Sequence, residues 1–272
     1  MSLGKGPTTD IIDVGASATD YIGHAYGTQG TEMCIQMAEL DRTLGDFFDQ
    51  LDSFGIDYEV ALTADHGGHD MTERQQLRAM PMESHVSPAA STGGIGKAIA
   101  ARFGLTGPVL LAAEGDVYMD RALSSADRAR VRAEAVRRYR ALPQVAAVFT
   151  RDELAAAPMP SGPPETWSLL DRARASFNAQ RSGDFVILLK PRVTSFEAPS
   201  PDYVESHGSP WDYDRRVPIL FWRRGMTGFE QPLSVETVDI APTLAATIRF
   251  PLSGVDGRCL DLDPGPASTC PS

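Results

Sequence analysis

Cysteine is scarce in this chain, three in 272 residues, which is too few for a disulfide scaffold. Lysine is as rare, only Lys5, Lys97 and Lys190. No stretch approaches the ~20 consecutive apolar residues of a membrane helix, so no membrane partner is expected. A basic surplus is missing too. The 25 Lys and Arg face 36 Asp and Glu, a net charge of −11, which sets nucleic-acid binding aside. The opening Met-Ser-Leu-Gly-Lys-Gly has no apolar h-region and so is not a signal peptide. Residues 1–9 read as a leader outside the fold.

What is present is globular. Hydrophobic residues make up 42% and charged residues 22%, and the length suits one core domain with a sizeable insertion. Ile11, Ile12 and Val14 read as a short buried strand ending at Gly15. From Thr31 to Phe54, Met33, Met37, Leu40, Leu44, Phe47, Phe48 and Leu51 recur at three- and four-residue steps. That spacing predicts an amphipathic helix stopped by Gly55, with Cys34 as a small core residue on it. Val60–Leu62 predicts a second buried strand, and strand–helix–strand predicts a βαβ unit in a parallel sheet.

The middle of the chain changes character. Strands are predicted at Val109–Ala112, Val145–Phe149 and Phe185–Leu189. Helices are predicted at Ser124–Leu142 and Leu169–Gln180, with a Pro-rich loop from Pro158 to Pro164. The pattern suits an α+β subdomain over residues 107–194, inserted between core segments 10–106 and 195–272. The main sheet resumes at Val217–Trp222, and a last helix covers Val238–Ile248, with Pro242 near its first turn. The predicted class is α/β, a mainly parallel sheet sandwiched by helices.

Five histidines concentrate the chemistry: His24, His66, His69, His85 and His207. Asp20 and His24 are four apart in Ser-Ala-Thr-Asp-Tyr-Ile-Gly-His, so on a helix they share a face and can hold one metal. A helix cap followed by a surface histidine is the plainer alternative. In Asp65-His66-Gly67-Gly68, neighbours on a strand point to opposite faces. Both reach one site only where the backbone bends, and two glycines permit that bend; an ordinary strand-ending turn is the other reading. His207, in Glu-Ser-His-Gly-Ser-Pro, completes a nitrogen and oxygen donor set suited to zinc.

These segments in order resemble the C-terminal signatures of the alkaline phosphatase superfamily. The nearest branch is that of bacterial threonine-nucleophile alkaline phosphatases, neighbours of the type I phosphodiesterases and nucleotide pyrophosphatases. Val-Asp-Ile-Ala-Pro-Thr-Leu at 238–244 resembles a further segment of that superfamily. The resemblance implies a periplasmic or secreted zinc phosphatase acting on phosphate esters. Asp20, His24 and His207 would hold one zinc, and Asp65 and His66 would serve a second, ~3.5–4 Å away. It also implies in-line attack on phosphorus by a hydroxyl nucleophile and a covalent phospho-enzyme.

In that family the nucleophile and a further metal-binding aspartate precede the Asp20 motif by a long segment. Here about ten residues of apparent core do so. The expectation is a C-terminal half that lacks the nucleophile and keeps one good zinc site. It should self-associate through the surface its other half would cover. The alternatives are a phosphodiesterase or nucleotide pyrophosphatase of the same superfamily, and a non-catalytic metal-binding remnant.

His69 reads as a group behind the metals or as a surface residue, and His85 as structural. Ser91-Thr-Gly-Gly-Ile-Gly-Lys97 fails the phosphate-loop pattern, which needs Gly at 91 and Ser or Thr after Lys97. The arginines from Arg121 to Arg140 read as a solvated helix face. Cys259 and Cys270, eleven positions apart around Pro264, Gly265 and Pro266, can pair in an oxidising compartment or remain free thiols.

Overall fold

The computed structural model describes residues 3–77, 83–113, 115–265 and 268–271. Met1 and Ser2 of the expected leader, and Pro266 of the tail, lie outside the described residues. The chain runs α1 (Ala18–Tyr26), α2 (Thr31–Ser53), β1 (Glu59–Thr63), β2 (His69–Asp70), α3 (Thr72–Gln76), β3 (Ser84–His85), α4 (Thr92–Phe103), β4 (Leu110–Ala113) and β5 (Asp116–Met119). It continues through α5 (Ser125–Arg140), β6 (Val145–Thr150), α6 (Arg151–Ala156), α7 (Leu169–Ala175), β7 (Phe185–Leu189), β8 (Val193–Thr194), β9 (Glu205–Ser206), α8 (Asp212–Arg215), β10 (Ile219–Arg223) and α9 (Ile240–Thr247).

Helix α2 falls where its apolar spacing predicts, yet none of its residues is buried. Ile35 is 59% and Met37 49% exposed. Cys34, expected in the core, is exposed as well. Along the predicted stripe Met33, Leu40, Leu44, Phe47, Phe48 and Leu51 are half-buried, with α1 against the helix and Tyr58 stacked on Phe48, while Met37 stays exposed. Ile11–Val14 does not form the predicted strand; Ile11 is 86% exposed, and a run this short cannot hold a strand without a ladder partner. β1 ends at the Asp65 turn as predicted but pairs antiparallel with β10, from Glu59↔Arg223 to Thr63↔Ile219. The parallel pairing predicted from the βαβ reading therefore does not occur at β1. Among described residues the one parallel pair is β3 with β8.

The middle of the chain holds the apolar core. β4, β5, β7 and β6 form, in that order, a four-stranded antiparallel sheet. β5 and the short helix α6 escaped the sequence reading. Val109, Val117, Val131, Ala135, Tyr139 and Phe185 are buried on this sheet together with Ile95 and Ile99 of α4. Thus α4 packs with the sheet although it precedes residue 107. Ser91 caps α4 by accepting from the Gly94 backbone N–H, so the glycine-rich segment is a helix start. Capping boxes at Thr150/Glu153 and Ser168/Asp171 start α6 and α7.

The arginines of α5 are less free than a solvated face. Arg102, Arg137 and Arg138 all donate to the buried Glu134 carboxylate at 2.8–2.9 Å. These bonds, led by that of Arg137, hold its pKa down to about 2. At the C-terminus Asp239 and Thr243 of the 238–244 segment are buried. Asp239 accepts from the backbone N–H of Arg258, and Thr243 from that of Leu260, which fastens the tail to α9. A disulfide joins Cys259 to Cys270, with Cα atoms 5.7 Å apart.

Two outcomes follow from this packing. A carboxyl whose folded pKa lies below its ordinary value of 4.5 stabilises the fold above that value, and the contribution is lost as pH falls toward about 2. The melting temperature of Glu134→Gln should therefore lie below that of the parent at pH 7, and the gap should shrink steadily below pH ~4.5. A gap unchanged down to pH ~2.5 would refute the assignment. Thiol counting under denaturing, non-reducing conditions should find one free thiol, that of Cys34; three would refute the bridge. Closing so short a loop contributes ~2–3 kcal/mol in the chain-entropy model.

Candidate metal centre

Two strands and one helix bring the histidines together. α1 places Asp20 and His24 one turn apart on the same face, as their spacing predicts. Its C-terminal end is fastened twice: Val204 N–H donates to the His24 carbonyl at 2.8 Å, and the Asp70 carboxylate accepts from Thr28 N–H at 2.6 Å and from its hydroxyl at 2.9 Å. Gly27, at φ 89°, lies where a Cβ would meet Asp70 Oδ1 and Arg74 at 2.9 Å, so this turn admits only glycine without displacement.

The Asp65–Gly68 turn is clamped against the segment 204–214. Gly67 N–H donates to the Asp214 carbonyl at 2.7 Å and Met71 N–H to the Val204 carbonyl at 2.8 Å. β2 pairs antiparallel with β9, Asp70 opposite Glu205 and His69 opposite Ser206. The backbones come so close that a Cβ on Gly67 would meet the Tyr213 carbonyl oxygen at 2.2 Å. Neither Gly67 nor Gly68 has a positive φ, so glycine is needed at position 67 for this close approach and not for the bend.

At the junction, Asp20 Oδ1 lies 3.5 Å from His24 Nε2 and 3.9 Å from both His66 Nε2 and His207 Nε2. His24 Nε2 and His207 Nε2 are 3.2 Å apart, and the His66 and His207 rings stack at 3.7 Å. His66 Nδ1 sits 2.8 Å from the Gly67 carbonyl oxygen; donating there leaves Nε2 as the free lone pair. Burial, then the neighbouring His66 and His24 rings, pushes the His207 pKa below its ordinary value. That favours neutral imidazole, the form that binds metals.

Two donor groups result, Asp20–His66–His207 and Asp20–His24–Glu205, with Asp20 common to both. His66, predicted for a second metal, thus faces the same aspartate as His207. Asp65 stands apart: its side chain is 90% exposed, 3.6 Å from His66 Nε2. His69 is buried, not on the surface, against Tyr213 and 3.9 Å from Asp214. It lines a cavity of about 280 Å³ with Gln29, Gly68, Gln75, Glu83, Arg192 and Tyr213. His85 is held by Glu73 and the Phe196 carbonyl and belongs to neither donor group.

The sequence reading missed Glu205. Its side chain is buried, with Oε2 3.2 Å from His24 Nδ1. Burial pushes its carboxyl up to about 7, opposed by His24 and helped by Asp20. The available signal was spacing, since residues 205 and 207 lie two apart on an extended segment and share a face.

A family model described as type I phosphodiesterase / nucleotide pyrophosphatase matches residues 7–210. The alkaline phosphatase PhoK of Sphingomonas sp is 56% identical over 99% of this chain and 49% of its own length. The alkaline phosphatase PhoD of Zymomonas mobilis is 50% identical over 100% of this chain and 48% of its own length. The crystal structure of wild-type alkaline phosphatase PafA superposes with a TM-score of 0.74 at 26% identity, over 89% of this chain and 45% of that one. The chain thus spans about half the length of the curated relatives it matches, and its fold is the alkaline-phosphatase-like α/β fold. It belongs to the type I phosphodiesterase / nucleotide pyrophosphatase family, within the alkaline phosphatase superfamily.

Proposed function

We propose that this chain is the metal-binding half of a zinc-dependent phosphatase that hydrolyses phosphate monoesters. The observation that carries the reading is the convergence of Asp20, His24 and His207, with donor separations of 3.2, 3.5 and 3.9 Å. Zinc–ligand bonds of 2.0–2.1 Å at tetrahedral angles separate ligand atoms by about 3.3 Å. The donor chemistry fits as well. Two imidazole nitrogens face each other at 3.2 Å, and with both protonated on Nδ1 a cation between them satisfies both lone pairs. Zinc held there supplies a Lewis acid to phosphoryl oxygens and lowers the pKa of a bound hydroxyl.

The chain's own residues hold and orient. Asp20 contributes charge, and His24 and His207 contribute neutral nitrogens. Asp65 and His66 are two of the ligands of a second site. We assign the remaining ligands, and the hydroxyl nucleophile of a covalent phospho-enzyme, to the segment that the longer relatives carry beyond the matched half. Exposed Ile35 and Met37 on α2, with Leu220 and Trp222 of β10 at 58% and 47% exposure, support such a covering segment. We read the four-stranded sheet as an inserted subdomain whose core reaches back to α4. The Cys259–Cys270 bridge supports an exported protein, periplasmic or secreted. No described helix is long and apolar enough to cross a membrane.

The description of the matching family favours a second reading, phosphodiester hydrolysis. p-Nitrophenyl phosphate and its bis ester separate the two once both halves are present.

Dialysed against zinc, the purified chain should retain about one equivalent and show no turnover of p-nitrophenyl phosphate. Two tight equivalents would contradict the missing second-site ligands. Turnover that His66→Ala abolishes would show a nucleophile within the chain. We also expect self-association through the α2 and β10 face, measured by light scattering coupled to size exclusion. A monodisperse monomer over a tenfold concentration range would refute that.

A further inference from the structure

Glu205 belongs to one of the two donor groups, yet its contacts point to a role behind His24. Its side chain is 3% exposed and Oε2 has no hydrogen-bond partner among the described residues. The nearest polar atom given for Oε2 is His24 Nδ1, at 3.2 Å. The Glu205 backbone carbonyl oxygen also faces that nitrogen, at 3.3 Å. The other nitrogen of the same ring, Nε2, is the one turned to Asp20 and His207. One imidazole therefore has a carboxylate on one side and the candidate metal donors on the other.

The fold makes room for this carboxylate at some cost. A Cβ on Gly68 would lie 1.8 Å from Glu205 Oε1, so any larger residue there would expel the side chain. A Cβ on Gly23 would stand 3.4 Å from Oε2. Gly68 is one of the two glycines after His66, and Gly23 immediately precedes His24. The segments that carry the ligands are thus glycine where Glu205 lies against them. Burying a carboxylate oxygen costs free energy unless a charged or hydrogen-bonding partner offsets it, and the partner within reach of Oε2 is His24 Nδ1.

We propose that Glu205 is a positioning residue for His24. Resting on the zinc reading above, the proposal is that the carboxylate and carbonyl of Glu205 together keep the proton on Nδ1, fix the ring plane and leave the Nε2 lone pair for the metal. Metal-ligating histidines characteristically give their second N–H to a carboxylate or carbonyl, which orients the ring and raises its basicity. Glu205 provides both acceptors from one residue. His66 uses a carbonyl alone, that of Gly67, so His24 is the ligand whose basicity a carboxylate raises. In this role Glu205 acts through His24 and does not touch the metal itself.

Zinc affinity, read by chelator competition on the full chain, tests the proposal without reference to turnover. Glu205→Ala should weaken zinc 10–100-fold, the range for loss of such a partner. Glu205→Gln, which keeps the shape and an acceptor, should lose less and guards against a misfolded alanine variant. Circular dichroism and melting temperature confirm folding of each. With cobalt in place of zinc, the saturated Glu205→Gln visible spectrum should match the parent, because the ligands are the same. In a double-mutant cycle, Glu205→Ala should cost little more once His24→Ala is present. Zinc affinity within twofold of the parent for both Glu205 variants overturns the proposal and leaves the zinc reading intact. A cobalt spectrum of changed coordination, or a fully additive cycle, overturns it too, making Glu205 a ligand or a purely structural residue. Failure of the unsubstituted chain to bind zinc overturns the zinc reading, and this inference falls with it.

Discussion

The site depends on one close crossing of two backbones, residues 67–71 against residues 204–214. Gly67 and Met71 donate across it, β2 and β9 pair within it, and neither Gly67 nor Gly68 leaves room for a Cβ. From this crossing hang His66 at one end and His207 at the other. α1 is fastened to it from the side through Val204 and Asp70. Asp20 and His24 reach the other ligands only because of that fastening. A substitution that separates the two backbones disperses donors lying far apart in sequence.

The two halves of the molecule are held by different forces. The sheet of β4, β5, β7 and β6 has a conventional apolar core with α4 and α5. Around the site the buried residues are largely polar: Asp70, Thr72, Gln75, Glu83, Glu205, Ser206 and Asp214. Meanwhile Ile11, Ile12, Tyr21, Ile35 and Trp222 lie exposed nearby in the chain or the fold. Hydrogen bonds and steric fit therefore set the site geometry, with little hydrophobic burial behind them. Hydrogen bonds are directional and each contributes little net stability. Such a frame gives precise donor positions and leaves rigidity to whatever covers the apolar face.

Much of this was legible in the residues, for specific reasons. Asp20 and His24 announce a shared face through helical spacing alone. Asp65-His66-Gly-Gly announces a bend, and the bend brings His66 beside Asp20 while Asp65 stays exposed. Cys259 and Cys270 announce a loop by their separation and the turn residues between them. What stayed hidden was pairing between distant segments. Nothing local in Val60–Leu62 says that its partner is β10 and antiparallel, since three apolar residues are too few to tell a continuous run from an alternating one. Ile11–Val14 and Cys34 failed for the opposite reason: their apolar character is local, but burial requires a partner that the described residues do not provide.

Glu205 shows the limit most clearly. A glutamate two positions before a histidine is unremarkable in sequence, where a charged residue is normally expected at the surface. Its meaning comes from Gly68, 137 positions away by residue number, which leaves the space it fills. A glycine explained by one role, such as the bend after His66, offers no hint that it serves another. In this site Gly67 lets the turn after His66 pack against the Tyr213 carbonyl, and its neighbour Gly68 admits the carboxyl that stands behind His24. The two ligands are therefore coupled through adjacent positions: a side chain at 67 would push the His66 turn off residue 213, and one at 68 would reach His24 through Glu205. Ligand positions that share a backbone constraint in this way cannot vary independently, even where no hydrogen bond joins them.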